Sequence, residues 1–209
     1  MSGDGSTLPE DLSNALVRAG YADDDESATL IDSHVTSSVT RARVLALRAA
    51  QRRQRLDDQA WVSAFNDVDA RVRREALTLA SHSVIGPPVV EAIAALLADA
   101  DPLVVDAAAF ALGEHHATHS VVALCEVAGH HDDPRCREAA VAALGALGDE
   151  RGRATVLAAL DDRATVRRRA IVALAAFDGP DVDAALERSR EDRDWQVRAA
   201  VDQLVDPED

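Results

Sequence analysis

Five histidines and two cysteines fall within 22 residues of this chain: His115, His116, His119, Cys125, His130, His131 and Cys136. Imidazole and thiolate are the ligands of zinc, which holds them at ~2.0–2.3 Å around one ion. The stretch between the two histidine groups reads as a helix from about Thr118 to Ala128. Eleven residues at ~1.5 Å rise place its ends ~16 Å apart, so the two groups cannot share a metal. His115, His116 and His119, with Glu114 nearby, are left as candidates for a surface metal site; the plainer reading is solvent-exposed loop histidines. No metal or other cofactor is expected. Cys125 and Cys136 sit at apolar positions, where buried, inert thiols are the default. They form neither a disulfide framework nor a C-x-x-C pair.

Other chemistry finds no foothold. The glycines are isolated near the ends of apolar runs, and a phosphate loop of the G-x-x-x-x-G-K-[ST] type is excluded because the chain contains no lysine. No G-x-S-x-G elbow or Ser/His/Asp constellation is recognisable. The chain reads as a non-enzyme.

Charge narrows the partners. All 22 basic residues are arginine, 26 of the 37 acidic residues are aspartate, and the net charge is −15. That argues against a general nucleic-acid or membrane-surface binder. The acidic, lysine-free composition fits proteins of salt-in halophilic archaea, and high genomic GC content is the other source of arginine in place of lysine. One segment runs against the acidic average. "RARVLALRAAQRRQR", residues 41–55, carries six arginines and no acid. Within it Arg48, Arg52, Arg53 and Arg55 make a candidate basic patch for an acidic partner or a nucleic-acid backbone. The alternative is a solvated helix end, with cations at the negative pole of the macrodipole. The N-terminal "MSGDGSTLPEDL" has no apolar leader segment, and no apolar run approaches the ~20 residues that span a bilayer. A cytoplasmic protein is expected.

The elements that would carry any of these residues repeat. Val72, Ala76 and Ala80 open one copy at i, i+4 and i+8. Val104, Ala108 and Leu112 open the next, followed by Cys136, Ala140 and Leu144, by Val166, Ala170 and Leu174, and by Val197, Val201 and Val205. A weaker first copy is anchored at Thr40 and Val44. The anchors are spaced by 32, 32, 32, 30 and 31 residues, a register that signals a repeat architecture. Each anchor run is one face of a helix, A. Asp69, Asp101, Asp133, Asp162 and Asp192 precede these helices, Pro102 and Pro134 fit their first turns, and Gly113 and Gly148 mark two stops. A second apolar run, helix B, follows in five copies: "DQAWVSAF", "VVEAIAALLA", "SVVALCEVA", "RATVLAAL" and "DVDAALERS". Short connections make neighbouring helices antiparallel, and stacked pairs share a continuous core.

"DDPRCREAAVAALGALGDERG" and "DDRATVRRRAIVALAAFDG" resemble the short HEAT-like repeat of the phycobilisome-lyase type, over about residues 36–205. The resemblance implies an all-α fold, a right-handed α-solenoid (alpha-alpha superhelix) of about five and a half helical hairpins. The domains expected are a flexible tail at 1–7, capping helices at 8–33, the solenoid at 34–205 and a tail at 206–209. The sequence departs from the pattern at Val105, where arginine is usual, at Cys136, where valine is usual, and at the last copy, which lacks its Leu-Gly ending. Deoxyhypusine hydroxylase, a member of this wider family, places His-Glu pairs after the Val-Arg of helix A to hold two irons. The matching positions are Arg74-Glu75, Asp106-Ala107, Glu138-Ala139 and Arg168-Arg169, so that activity is not carried over. A bilin lyase activity would want more aromatic lining than this chain supplies.

The family spans scaffolds and enzymes, so the resemblance says little about function; with no catalytic residues found, a scaffold that binds a protein partner on the concave B-helix surface is expected. The outward B-helix positions are Gln59 and Ser63, Glu91 and Ala95, Val122 and Glu126, Ala158, then Asp183 and Glu187. They make a stripe of small and acidic side chains; a plain solvated face is the alternative. Arg41, Arg73, Arg137, Arg167 and Arg198, one place after each anchor, are expected to bridge to aspartates of the next repeat as a ladder. The last helix, from Trp195, either caps the stack or leaves an apolar edge, so monomer and homodimer through the terminal repeat both stand.

Overall fold

The computed structural model describes residues 8–205; the tails expected at 1–7 and 206–209 lie outside the described residues. Among the described residues there are thirteen α-helices, three short 3-10 turns and no strand. The chain divides into two compact units, Met1–Ala92 and Ile93–Asp209.

The first unit holds α1 (Glu10–Ala19), α2 (Asp25–His34), α3 (Thr40–Arg52), α4 (Asp58–Phe65), α5 (Ala70–Ala80) and the start of α6 (Pro87–Ala95). α1 and α2 form a helical pair against α3. Leu8 and Leu16 pack with Ala42 and Ala46, and Ala19 and Ile31 with Ala49 and Ala50. Alanine at these positions lets the helices close up: a Cβ on Gly20 would stand 3.1 Å from the Cα of Ala49. On α4 the buried rings of Trp61 and Phe65 stack, their centroids 6.1 Å apart.

The buried run of α3 is Ala42, Ala46 and Ala50, which corrects the register anchored at Thr40 and Val44; both of those are only half-buried. Ala42 keeps the i, i+4, i+8 pattern and lies 30 residues before Val72. The reason is that α3 puts only alanine methyl groups at these three positions and leaves the bulk to Leu16 and Ile31 opposite, so the β-branched residues two places earlier looked more core-like than the core.

The second unit continues with α7 (Pro102–Glu114), α8 (Val121–His130), α9 (Pro134–Leu147), α10 (Glu150–Ala158), α11 (Ala164–Leu174), α12 (Pro180–Ser189) and α13 (Trp195–Val205). Its A helices, α7, α9, α11 and α13, pack side by side in chain order. Val104, Ala108 and Leu112 are buried, as are Cys136, Ala140 and Leu144, and Val166, Ala170 and Leu174. In α13 Val197 and Val201 are buried but Val205 is exposed, which shortens the last anchor run to two. Gly148 ends α9 in the left-handed region at φ 59°. Gly113 does not stop α7; it is buried inside the helix, where a Cβ would meet Ala143 Cα at 3.3 Å, and the left-handed residue beyond that helix is His116 at φ 48°. Gly145 is tighter, its absent Cβ only 2.7 Å from Ala173 Cα.

Aspartates do two separate jobs in the turns. Asp69, Asp101 and Asp133 are N-caps, each accepting from the backbone N–H two residues on. Two residues earlier, Asp67 faces an arginine of the preceding pair. Arg43 donates Nε and Nη2 to the two Asp67 oxygens at 2.7 Å each, and Nη1 to the Ser37 carbonyl at 2.7 Å. In the second unit Arg137 grips Asp162 and the His131 carbonyl, and Arg167 grips Asp192 and the Asp162 carbonyl. The ladder is seen at Arg43, Arg137 and Arg167; its first rung is Arg43, not Arg41, for the same two-residue reason, and Arg198 of the last helix donates instead to the backbone carbonyl of Asp192. Where Val105 replaces the arginine, the rung aspartate is replaced as well. His131 stands two residues before the Asp133 cap, and its Nδ1 accepts the Asp133 N–H at 3.0 Å, as Asp67 does for Asp69. Both charges of a buried pair are gone together, so neither is stranded.

Candidate functional site

The closely packed A helices of the second unit leave a groove of about 430 Å³ over α7, α9 and α11. Its floor is Ala139, Ala142 and Ala146 of α9, where methyl groups leave space that larger side chains would fill. Leu103 and Phe110 of α7 stand along it. They are seven residues apart on one face, and they are 38% and 50% exposed. Half of the phenyl ring's surface is therefore open to water beside the alanine trough.

Charges line the same groove. Asp106 of α7, Glu138 and Arg135 of α9 and Arg169 of α11 face it, with Glu114 at one end. Arg135 is held by Asp133 at 2.6 Å, and Arg169 lies 3.5 Å from Glu138. Asp106 accepts no hydrogen bond and forms no ion pair among the described residues. Partial burial raises its carboxyl above the ordinary carboxylate value, against the pull of Arg135 and with a further push from Glu138 and Asp133. Arg169 also borders a smaller depression of about 300 Å³ between α11 and α13, lined by Val172, Trp195, Gln196 and Gln203. Asp106, Glu138 and Arg169 are three of the positions matched above to the iron-holding pairs of deoxyhypusine hydroxylase, and here they offer no imidazole.

The residues singled out from sequence fall elsewhere. Gln59, Ser63 and Glu91 are exposed on the B helices of the first unit; Ala95, Val122, Glu126, Ala158, Asp183 and Glu187 are exposed on those of the second. Among the described residues no group of three or more His, Cys, Asp or Glu side chains is arranged to hold a metal ion, so His115, His116 and His119 do not converge on one. His130 belongs to the last turn of α8 and lies 3.3 Å from Glu126. Cys136 is buried, donates to the Pro102 carbonyl at 3.2 Å, and burial pushes its thiol up to about 11. Cys125 is half-buried.

The basic patch is not free. Arg48 forms a two-point pair with Glu75 at 2.6 and 2.7 Å, Arg55 reaches Asp32 at 3.2 Å, and Arg53 lies 3.6 Å from Asp23. Arg52 stacks over the Tyr21 ring at 4.2 Å. The run lacks acids only in sequence; folding brings carboxylates and an aromatic face to it from α2, α5 and the α1–α2 turn. No described helix is long and apolar enough to cross a membrane.

Known proteins agree with the fold. The chain is similar to the crystal structure of YIBA from Escherichia coli, with 15% identity and a TM-score of 0.63 over 98% of this chain and 77% of that one. An engineered protein matches with 19% identity and a TM-score of 0.58, covering 94% of this chain and 96% of its own. A designed armadillo repeat protein, solved in complex with the peptide (KR)4, matches with 14% identity and a TM-score of 0.58 over 94% and 98% of the two chains. No curated protein matches. The sequence model for HEAT repeats fits three overlapping stretches, residues 58–144, 89–175 and 121–204. With helical pairs recurring every 30 to 32 residues and that match spanning most of the chain, the protein belongs to the HEAT repeat family.

Proposed function

We propose that this chain is a non-catalytic scaffold for a protein partner, and that its working surface is the groove over α7, α9 and α11. The carrying observation is the pair Leu103 and Phe110, large apolar side chains kept in solvent beside an alanine-floored cleft. Exposed apolar side chains gathered along a groove are a common mark of an interaction surface. The designed armadillo repeat protein to which the chain is similar was solved with a peptide, which supports peptide or protein-segment binding as the use of this architecture. The 30- to 32-residue period and the Asp-Pro helix starts support the phycobilisome-lyase-type subgroup. The lysine-free acidic surface supports a halophilic archaeal source and a cytoplasmic setting.

The B-helix stripe is the competing surface, because all nine of its residues are exposed. Affinity purification from the native host at native salt separates the two with three baits: the natural chain, Phe110→Ser with Ala142→Glu, and Glu91→Arg with Glu126→Arg. The groove variant should lose the co-purifying protein and the stripe variant should keep it. The opposite pattern assigns the stripe, and retention by both variants removes both surfaces. Stoichiometric iron, zinc or a chromophore in the natural chain would move the reading to the enzyme class.

A further inference from the structure

We infer that the groove over α7, α9 and α11 receives an arginine or lysine side chain of its partner, and that Asp106 is the group that selects it. The inference rests on the groove reading above and names the chemistry of what enters.

Five charged side chains line the groove, and they are not equivalent. Arg135 is already satisfied by Asp133, and Arg169 and Glu138 lie close enough to offset each other. That leaves Asp106 and Glu114 as carboxylates without an ion pair among the described residues, so the groove is uncompensated on the negative side. Its floor is methyl groups and one wall is Leu103 and Phe110. A guest therefore has to bring apolar surface and positive charge together. A long basic side chain does both, laying its methylenes along alanine and phenyl and its head on a carboxylate. An acidic guest would find the two arginines already engaged.

Asp106 also differs from the other partly buried aspartates. Asp67, Asp162 and Asp192 each hold an arginine that ties one pair to the next. Asp106 ties nothing, and its burial works against its own ionisation. A carboxylate in that setting costs the free protein stability, and a guest cation offsets the cost.

A random dodecapeptide phage library, panned on the natural chain at native salt and followed by fluorescence polarisation of resynthesised hits, tests this. The hits should share one arginine or lysine among apolar residues, and replacing that residue by glutamine should weaken binding by about tenfold or more. Asp106→Asn should erase the preference, bringing the basic and glutamine peptides within about twofold of each other, with an unchanged helical spectrum. Phe110→Ala should weaken both peptides. Hits without a basic residue, or a preference that survives Asp106→Asn, overturn the assignment; the groove reading then still stands if Phe110→Ala and Ala142→Glu abolish binding. Binding untouched by Ala142→Glu overturns the groove itself.

Discussion

Arg167 and Asp192 stand 25 residues apart in the chain and meet fork to fork, Nε and Nη2 lying 2.8 and 2.7 Å from the two carboxylate oxygens. The arginine is buried, and its third nitrogen turns back to the Asp162 carbonyl at 2.8 Å. One side chain thus fixes the turn of its own pair and the turn of the next. Arg137 repeats the arrangement with Asp162.

Breaking such a rung from one side strands a buried charge. Asp192→Ala or Arg167→Ala should each lower unfolding free energy by about 3 kcal/mol, measured by urea titration. The double variant Arg167→Val with Asp192→His copies what the chain itself does at Val105 and His131. It should recover most of that loss, and a double variant no better than either single one would refute the compensation.

Asp106→Asn should stabilise the protein. The folded-state carboxyl titrates above its ordinary value, chiefly because it is partly buried. Ionisation is therefore harder in the fold than in the unfolded chain, and stability is forfeited once the pH exceeds the unfolded value of about 3.9. The variant should melt higher than the natural chain at pH 7, with the gap closing as the pH falls toward 4.

The capping aspartates behave in the opposite sense. Side-chain hydrogen bonds from Arg135 and Arg151, then backbone N–H groups, lower Asp133 and Asp149 to about 2. Their contribution is complete above about pH 4 and is lost as the pH drops through about 2. Urea midpoints taken between pH 4 and pH 2 should fall, and Asp133→Asn with Asp149→Asn should flatten that fall.

Glycine substitutions separate close packing from open surface. Gly145→Ala places a Cβ 2.7 Å from Ala173 Cα, a backbone atom that cannot swing away, and should cost about 1–3 kcal/mol. Gly129→Ala meets nothing within 4 Å and should be neutral or stabilising by up to about 1 kcal/mol. Thermal melts should fall for Gly145→Ala and stay level or rise for Gly129→Ala.

The helical pairs were legible because burial at i, i+4 and i+8 leaves a mark wherever the core uses valine, leucine or isoleucine. Asp before Pro102 and Pro134 marked helix starts for equally local reasons. The register of α3 was not legible, since Ala42, Ala46 and Ala50 are smaller and less apolar than Val44, Leu45 and Leu47 between them. Nor was the pairing of Arg48 and Arg55, whose acids Glu75 and Asp32 are 27 and 23 residues away. The groove escaped for a related reason: an alanine facing solvent and one facing the core read alike. Only the seven-residue step from Leu103 to Phe110, apolar and outside the buried register, signalled that α7 presents a second apolar face.

The step at Val105 and His131 has an effect that the other junctions cannot share. Dissolved ions screen exposed guanidinium–carboxylate forks, while strongly hydrated salts reinforce contacts between hydrocarbon groups. The buried forks of Arg137 and Arg167 feel dissolved ions only weakly, and the junction beside Val105 has no fork for them to reach, so within the second unit that seam is the one whose strength follows hydrocarbon packing rather than ion pairing.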